Sequence, residues 1–200
     1  SSPNRKQLLK IDTSITNPSS VAINASEVYI EAIRMAINNN SKEEIKISCK
    51  SLIISPILME AYNQACNNEF RDVTVNPGHL INAFYCTFWG LFNFSDYKSA
   101  IDAIICLGNA ENPVSRICNP NSKYHIKVGD TDTNAAIAGA LLGGYYGILS
   151  MCKDNITKIN LQTLIKSNPN DGELKRPIKY IPYYTNIPFI LLNSYKMYIL

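Results

Sequence analysis

The sequence has no cluster of basic residues. Its 19 Lys and Arg side chains are spread along 200 residues without a run of five or more, and the net charge is only +3. Domains that bind nucleic acid concentrate positive charge on one face, where it displaces counterions from the phosphates. The charge pattern therefore predicts no nucleic-acid partner.

Cysteine pairs at redox or metal-binding spacing are also missing. The six Cys include no C-x-x-C pair, and several of them fall at apolar positions of helical patterns. This usage is typical of free, buried thiols in a reducing compartment. The chain begins at Ser1 with neither an initiator Met nor an apolar signal segment, so we expect an intracellular, cytoplasmic protein cut from a longer chain.

Only one apolar run, residues 135–152, approaches the length of a membrane span. Gly139, Gly143 and Gly147 lie four apart in it, as in membrane helix dimers. The run is mostly Ala and Gly with two Tyr, however, and no aromatic or basic belt marks both of its ends. We therefore predict a central helix packed closely by its neighbours in a globular domain, and no membrane association.

No alternation of helices with well-marked strands is present, so the pattern predicts an all-α fold. With 46% hydrophobic residues the chain can bury one substantial core, and we predict a single domain over residues 1–200. Ser41 and Glu44 have the spacing of a capping box, and Pro56 is expected to break or kink the helix that follows. Helices are predicted over residues 21–37, from 42 to 65 with that break, over 78–92, over 96–107 with Ser95 as the cap, and along the run 135–152.

Chemistry is concentrated just before that last run, in Gly129-Asp130-Thr131-Asp132-Thr133. The two carboxylates can point to one side of a turn, and Thr133 adds a hydroxyl beside them. Oxygen donors of this kind suit a hard divalent cation such as Mg²⁺, Mn²⁺ or Ca²⁺. The same residues equally fit a structural use, in which one Asp caps the helix and the other interacts favourably with its dipole.

Two other metal-binding motifs do not fit the sequence that begins at Asp130. An EF-hand loop starting at Asp130 needs Gly where Ala135 stands and Glu where Leu141 stands. The Asp-x-Asp motif of haloacid-dehalogenase-like enzymes usually has Thr or Val at its fifth position, where this chain has Asn134. That motif also belongs to a parallel α/β sheet, which the pattern of this chain does not predict.

The whole stretch from Gly129 through Gly147 resembles the C-terminal signature of the ADP-ribosylglycohydrolase family, which is related to dinitrogenase reductase activating glycohydrolase. Segments upstream extend the likeness. Ile15-Thr16-Asn17-Pro18 and the helix after it resemble the family's Thr-His-x-His/Pro segment, Gly78-His79-Leu80 through Trp89 resembles its Gly-Tyr/Trp helix, and residues 95–107 resemble the helix that precedes its metal motif.

This resemblance implies an all-α fold around two Mg²⁺ or Mn²⁺ ions, where ADP-ribose is cleaved from a modified side chain or a related conjugate. Asp130, Asp132 and Thr133 correspond to metal ligands of the family, and the two Asp are the implied catalytic residues. The implied partner is an ADP-ribosylated protein or another ADP-ribose conjugate. The implied substrate-binding positions are Gly78, His79 and Gly129.

The chain also departs from the family pattern. It has no Thr-Asp-Asp motif before Asp130, which in the family supplies the other metal ligands, so we expect the family's N-terminal portion to be missing. An upstream segment or a second chain would then complete the site, and the alternative is a catalytically incomplete ADP-ribose-binding or structural module. Asn17 stands where the family often has His, and residues 109–127 are an insertion that we expect to bulge into solvent.

Overall fold

The computed structural model describes residues 3–107, 129–153, 155, 158, 159 and 162, and all regular structure within these ranges is helical. The predicted all-α class is confirmed, whereas the predicted insertion at residues 109–127 lies outside the described residues. The helices that the described ranges contain are α1 (Pro3–Thr16), α2 (Ser20–Ile37), α3 (Lys42–Leu52), α4 (Pro56–Cys66), α5 (Leu80–Asn93), α6 (Tyr97–Leu107) and α7 (Thr131–Met151).

The chain forms two compact units, Ser1–Ser150 and Met151–Leu200. The hydrophobic core and the candidate site both lie in the first unit. Because most of the second unit lies outside the described residues, the assignment of residues 1–200 to one domain stays a prediction.

Helix α5 is the centre of the core, as its apolar sequence predicts. Ten of its 14 residues are buried, and α4 packs along it. Tyr62 of α4 meets Phe88 of α5 edge to face, with ring centroids 4.9 Å apart. Gly90 lets α6 approach, since an added Cβ there would lie 2.9 Å from Ile104 Cδ1. Phe84 and Phe88 are buried in this core, while Trp89 lies at its edge.

Hydrogen bonds confirm the predicted start of α3 and correct that of α6. Ser41 and Glu44 form the predicted capping box at the start of α3. The chain leaves the helix after Leu52 and starts a new one at Pro56, so the proline separates two helices. The predicted cap of α6 was wrong by one residue, because Asp96, whose Oδ1 accepts from the Ser99 amide at 2.9 Å, fills that role.

Helix α7 packs closely at Gly139, one of the three glycines of the predicted stripe, and at Gly144, which is not part of that stripe. An added Cβ at Gly139 would lie 3.3 Å from Tyr97 Oη, and one at Gly144 would lie 3.6 Å from Ile37 Cγ1. Gly147 is different, because its φ of 72° and ψ of 161° interrupt the helix. Across the described ranges, no helix combines the length and apolar character that a membrane span requires.

Helix α1 has no counterpart among the predicted helices. Among residues 4–16 only Leu9 is buried. Two ion pairs connect α1 to α2, from Arg5 to Glu31 and from Lys6 to Glu27, each at 2.8 Å. Electrostatic contacts therefore carry much of the attachment of α1.

The five cysteines in the described ranges are free of disulfides, as predicted. Cys49 and Cys86 are buried in the core, whereas Cys66, Cys106 and Cys152 are partly exposed. The sixth cysteine, Cys118, lies outside the described residues.

Candidate active site

The acidic turn stands at the entrance to α7. The carbonyl oxygen of Asp130 accepts the amide hydrogen of Asn134 at 3.0 Å, which is the first helical hydrogen bond. Asp130 is partly exposed, and Asp132 and Thr133 are exposed. The turn therefore presents two carboxylates and a hydroxyl to solvent at the positive end of a long helix dipole.

Asp132 is held by the backbone of its own helix. Its Oδ1 accepts from the amide of Thr133 at 2.9 Å. This bond, followed by a hydrogen bond with the side chain of Asp130, lowers the pKa of the Asp132 carboxyl. The two side chains thus lie within hydrogen-bonding reach, and Asp132 is a carboxylate at neutral pH.

Thr131, between the two carboxylates, carries a hydroxyl that the described residues leave without a partner. Its Oγ1 is buried and has no hydrogen-bond partner in the described part of the chain. Buried hydroxyls in folded proteins almost always have a partner, because an unpaired one costs about 1–3 kcal/mol. The turn is therefore a place where an additional polar group would be stabilised.

Gly78 lies directly against the acidic turn. Its φ is +79°, a conformation that favours glycine, and an added Cβ would lie 3.3 Å from Asp130 Oδ2. The structure thus brings together two of the predicted site residues that are 52 positions apart in sequence. A glycine at this point leaves the carboxylate of Asp130 uncovered from the side of α5.

His79 and Gly129 are the other predicted substrate-binding residues. His79 is the N-cap of α5, and its Nδ1 accepts from the amide of Ile81 at 3.3 Å, so the ring has a structural role. Gly129 is buried immediately before Asp130.

A cavity of about 370 Å³ adjoins the turn. Both Gly78 and Thr133 line it, and its walls come from α1, α2, α5 and α7 together with the residues that join them. Among the described residues no charged side chain lines it, and the polar groups that do are hydroxyls and an amide, from Thr13, Thr16, Asn17, Ser26, Tyr29, Thr87 and Thr133. His79 faces a second cavity of about 440 Å³, which Gly78 and Asn17 also line.

Tyr29 is a residue of this region that the sequence pattern did not single out. It lines the first cavity, and its hydroxyl donates to the carbonyl oxygen of Ile137 at 2.8 Å. In the sequence it is one more apolar position of an amphipathic helix, and no local signal distinguishes it from the core residues around it.

The described ranges contain no group of three or more His, Cys, Asp or Glu side chains placed to hold a metal ion. Asp130 and Asp132 are two such side chains, and the remaining oxygen donors of the turn are threonine hydroxyls. The donor set fits the oxygen preference of Mg²⁺ or Mn²⁺ in type. In number it is smaller than a two-metal centre uses.

This chain is distantly similar to an ADP-ribosylarginine hydrolase. It is 23% identical over 150 residues to the curated protein "ADP-ribosylarginine hydrolase Tri1" of Pseudomonas putida (strain GB-1), and the match covers 74% of this chain and 34% of Tri1. The chain therefore spans about a third of the length of the curated relative that it matches. No family model and no solved structure matches the chain.

The similarity to Tri1 supports, at the level of the family, the resemblance to ADP-ribosylglycohydrolases. It also agrees with the all-helical structure of the described residues. It extends beyond the signature, since 150 matched residues include much more than the 19 positions from Gly129 to Gly147.

Proposed function

We propose that this chain is part of a metal-dependent hydrolase that removes ADP-ribose from ADP-ribosylated proteins or related conjugates. The observation that carries the proposal is the juxtaposition of Gly78 with Asp130 beside an uncharged cavity. The distant similarity to an ADP-ribosylarginine hydrolase supports the same reaction class.

In this proposal Asp130, Asp132 and Thr133 hold a divalent cation, Mg²⁺ or Mn²⁺. A cation bound there would lower the pKa of a water molecule that it binds and would orient the hydroxyls of the ribose. Asp132 is already a carboxylate, because the amide of Thr133 stabilises its charge. Thr131 Oγ1, which lacks a partner in the described ranges, offers one further oxygen.

The cavity gives the sugar a place next to the carboxylates. Thr133 lines it on the α7 side and Gly78 on the α5 side. Hydroxyl and amide groups can donate to and accept from the hydroxyls of a ribose. Because Gly78 has no side chain, the path from the cavity to Asp130 is open at this position.

We further propose that an upstream segment or a second chain completes the metal shell. A two-metal centre needs more ligands than the turn offers, and the described residues contain no further acidic group beside it. The proposed activity therefore belongs to the longest native product that contains this chain.

The activity is tested by measuring release of ADP-ribose in Mg²⁺ or Mn²⁺ by that longest product and by its Asp132→Ala variant. We expect Asp132→Ala to lower the rate of ADP-ribose release by at least about 10-fold. Removing a residue that only supports a metal ligand costs about 10- to 100-fold, and removing a proposed ligand should cost no less. Asp132 is exposed, so the fold should survive.

Asp102→Ala is the control, since Asp102 is an exposed carboxylate on α6 that pairs with Lys98 and lines neither cavity. A product that contains a Thr-Asp-Asp motif, folds, and stays inactive on every common ADP-ribosyl linkage rules the proposal out.

A catalytically incomplete module that binds ADP-ribose is the second candidate, and the small donor set in the described ranges favours it. The melting temperature of the chain, titrated with ADP-ribose, separates the two functions. Ligand at 100 times its dissociation constant stabilises a protein by about 2.7 kcal/mol. Stabilisation without hydrolysis identifies a binding module, and indifference to both ADP-ribose and metal leaves a structural role.

A further inference from the structure

One hydrogen bond connects α2 to the first part of α7 across 108 residues of sequence. Tyr29 Oη donates to the carbonyl oxygen of Ile137 at 2.8 Å. Ile137 lies four residues after Thr133, which is about one helical turn beyond the acidic turn. Because a helix is stiff over one turn, a contact at Ile137 also sets the position of Asp132 and Thr133.

An apolar contact between these helices lies further along α7. An added Cβ at Gly144 would lie 3.6 Å from Ile37 Cγ1 and 4.0 Å from Ala36 Cβ. Apolar packing against a glycine tolerates small rotations and translations of a helix, whereas a hydrogen bond requires a defined distance and direction. In the described ranges the bond from Tyr29 is therefore the directional contact of α7 nearest to the acidic turn, since the hydrogen bond from Tyr146 Oη to the carbonyl oxygen of Phe94, at 2.6 Å, lies further along the helix.

The surroundings of Tyr29 keep this bond intact. The ring lines the cavity together with Thr133, and burial raises the pKa of the phenol. The hydroxyl therefore stays protonated and can donate throughout the neutral range. Its acceptor is a backbone carbonyl, which does not titrate.

We propose that Tyr29 is a positioning residue that, through the carbonyl of Ile137, aims Asp132 and Thr133 toward the cavity. The inference rests on the proposed function, in which these two residues hold a metal ion. The hydroxyl itself does not touch the reacting atoms.

The matched pair Tyr29→Phe and Tyr62→Phe tests this role in the longest native product that contains this chain. Tyr62 is fully buried, whereas Tyr29 is partly buried, and the Tyr62 hydroxyl likewise donates to a backbone carbonyl, that of Lys46 at 2.9 Å, but it joins α4 to α3. Each variant thus loses one hydroxyl and its hydrogen bond to a backbone carbonyl. Amide hydrogen exchange of residues 134–138 and the dissociation constant for Mn²⁺ alone are measured for both.

We expect Tyr29→Phe to speed exchange at residues 134–138 and to weaken Mn²⁺ binding by about five-fold, the effect of losing one hydrogen bond. Tyr62→Phe should leave both quantities within about two-fold of the unsubstituted chain. Equal effects of the two variants on residues 134–138, or no effect of Tyr29→Phe there, would overturn the inference. So would unchanged Mn²⁺ affinity in Tyr29→Phe when the unsubstituted chain binds Mn²⁺.

A distinct result tests the proposed function separately. If the unsubstituted longest product binds no Mn²⁺, the proposed metal site is lost. The exchange comparison then decides by itself whether Tyr29 positions the start of α7.

Discussion

Gly78 is the residue whose replacement tests the candidate site most directly. Its φ of +79° disfavours any side chain, and a Cβ would press on Asp130 Oδ2 at 3.3 Å. We expect Gly78→Ala to destabilise the fold by about 1 kcal/mol and to weaken Mn²⁺ binding, because the carboxylate must shift. Urea unfolding and Mn²⁺ titration measure the two effects.

Gly144→Ala is the control for this change. Gly144 is helical, and its nearest neighbours would lie at ordinary contact distances of 3.6 and 4.0 Å. Alanine there should be neutral or should stabilise the helix by up to about 1 kcal/mol, with no effect on Mn²⁺ binding. If both variants change Mn²⁺ affinity equally, Gly78 has no special relation to Asp130.

Which residues of the site could be predicted depends on whether their role is local. The carboxylates of Asp130 and Asp132 could be predicted as site residues because they lie together at a helix start. The approach of Gly78 to Asp130 could be expected only from the family resemblance, since no spacing within the chain encodes a contact across 52 residues. Tyr29 could not be found, because its bond to Ile137 depends on how α2 and α7 pack.

At the scale of elements, helix ends followed from local chemistry and the attachment of α1 did not. The capping box of Ser41 and the break at Pro56 are set by neighbours in the sequence. Leu8, Ile11 and Ile15 of α1 follow helical spacing, but they are 56–77% exposed, so this apolar stripe does not mark the face that attaches α1. Two ion pairs connect α1 to α2, and such pairs leave no hydrophobic pattern in the sequence.

Glu31 should make the stability of the fold depend on pH. Hydrogen bonds from Arg34, and then from Arg5, lower the pKa of the Glu31 carboxyl, although burial opposes the shift. The stabilisation is therefore present above the unfolded pKa of about 4.3 and is lost as the pH falls through the lower folded value. We expect Glu31→Gln to cost about 2 kcal/mol of unfolding free energy at pH 7, and much less near pH 3.

Urea unfolding at a series of pH values measures this difference. Glu27→Gln is the control, because Glu27 pairs with Lys6, whose side chain is 74% exposed, and exposed pairs contribute about 0–1 kcal/mol. A Glu31→Gln deficit that is independent of pH would show that the ion pairs to Arg34 and Arg5 do not stabilise the fold.

At the scale of the whole molecule, helices α2 to α7 share one core. Cys49 of α3 and Cys86 of α5 are both fully buried in it, together with residues of α2, α4, α6 and α7. A single core should unfold in one cooperative step. The attachments at its edges, such as α1, can open separately.

The two buried thiols can report whether this step is cooperative. Desolvation raises the pKa of Cys49 to about 12 and that of Cys86 to about 12, so very little thiolate is present at pH 8. We expect neither to react with iodoacetamide in the native state, whereas Cys106, which is partly exposed on α6, reacts slowly. Mass spectrometry of labelled peptides across a urea titration should show Cys49 and Cys86 becoming reactive at the same urea concentration. Labelling of one of them well before the other would show that α3 and α5 belong to separately unfolding parts, against the single core that the packing indicates.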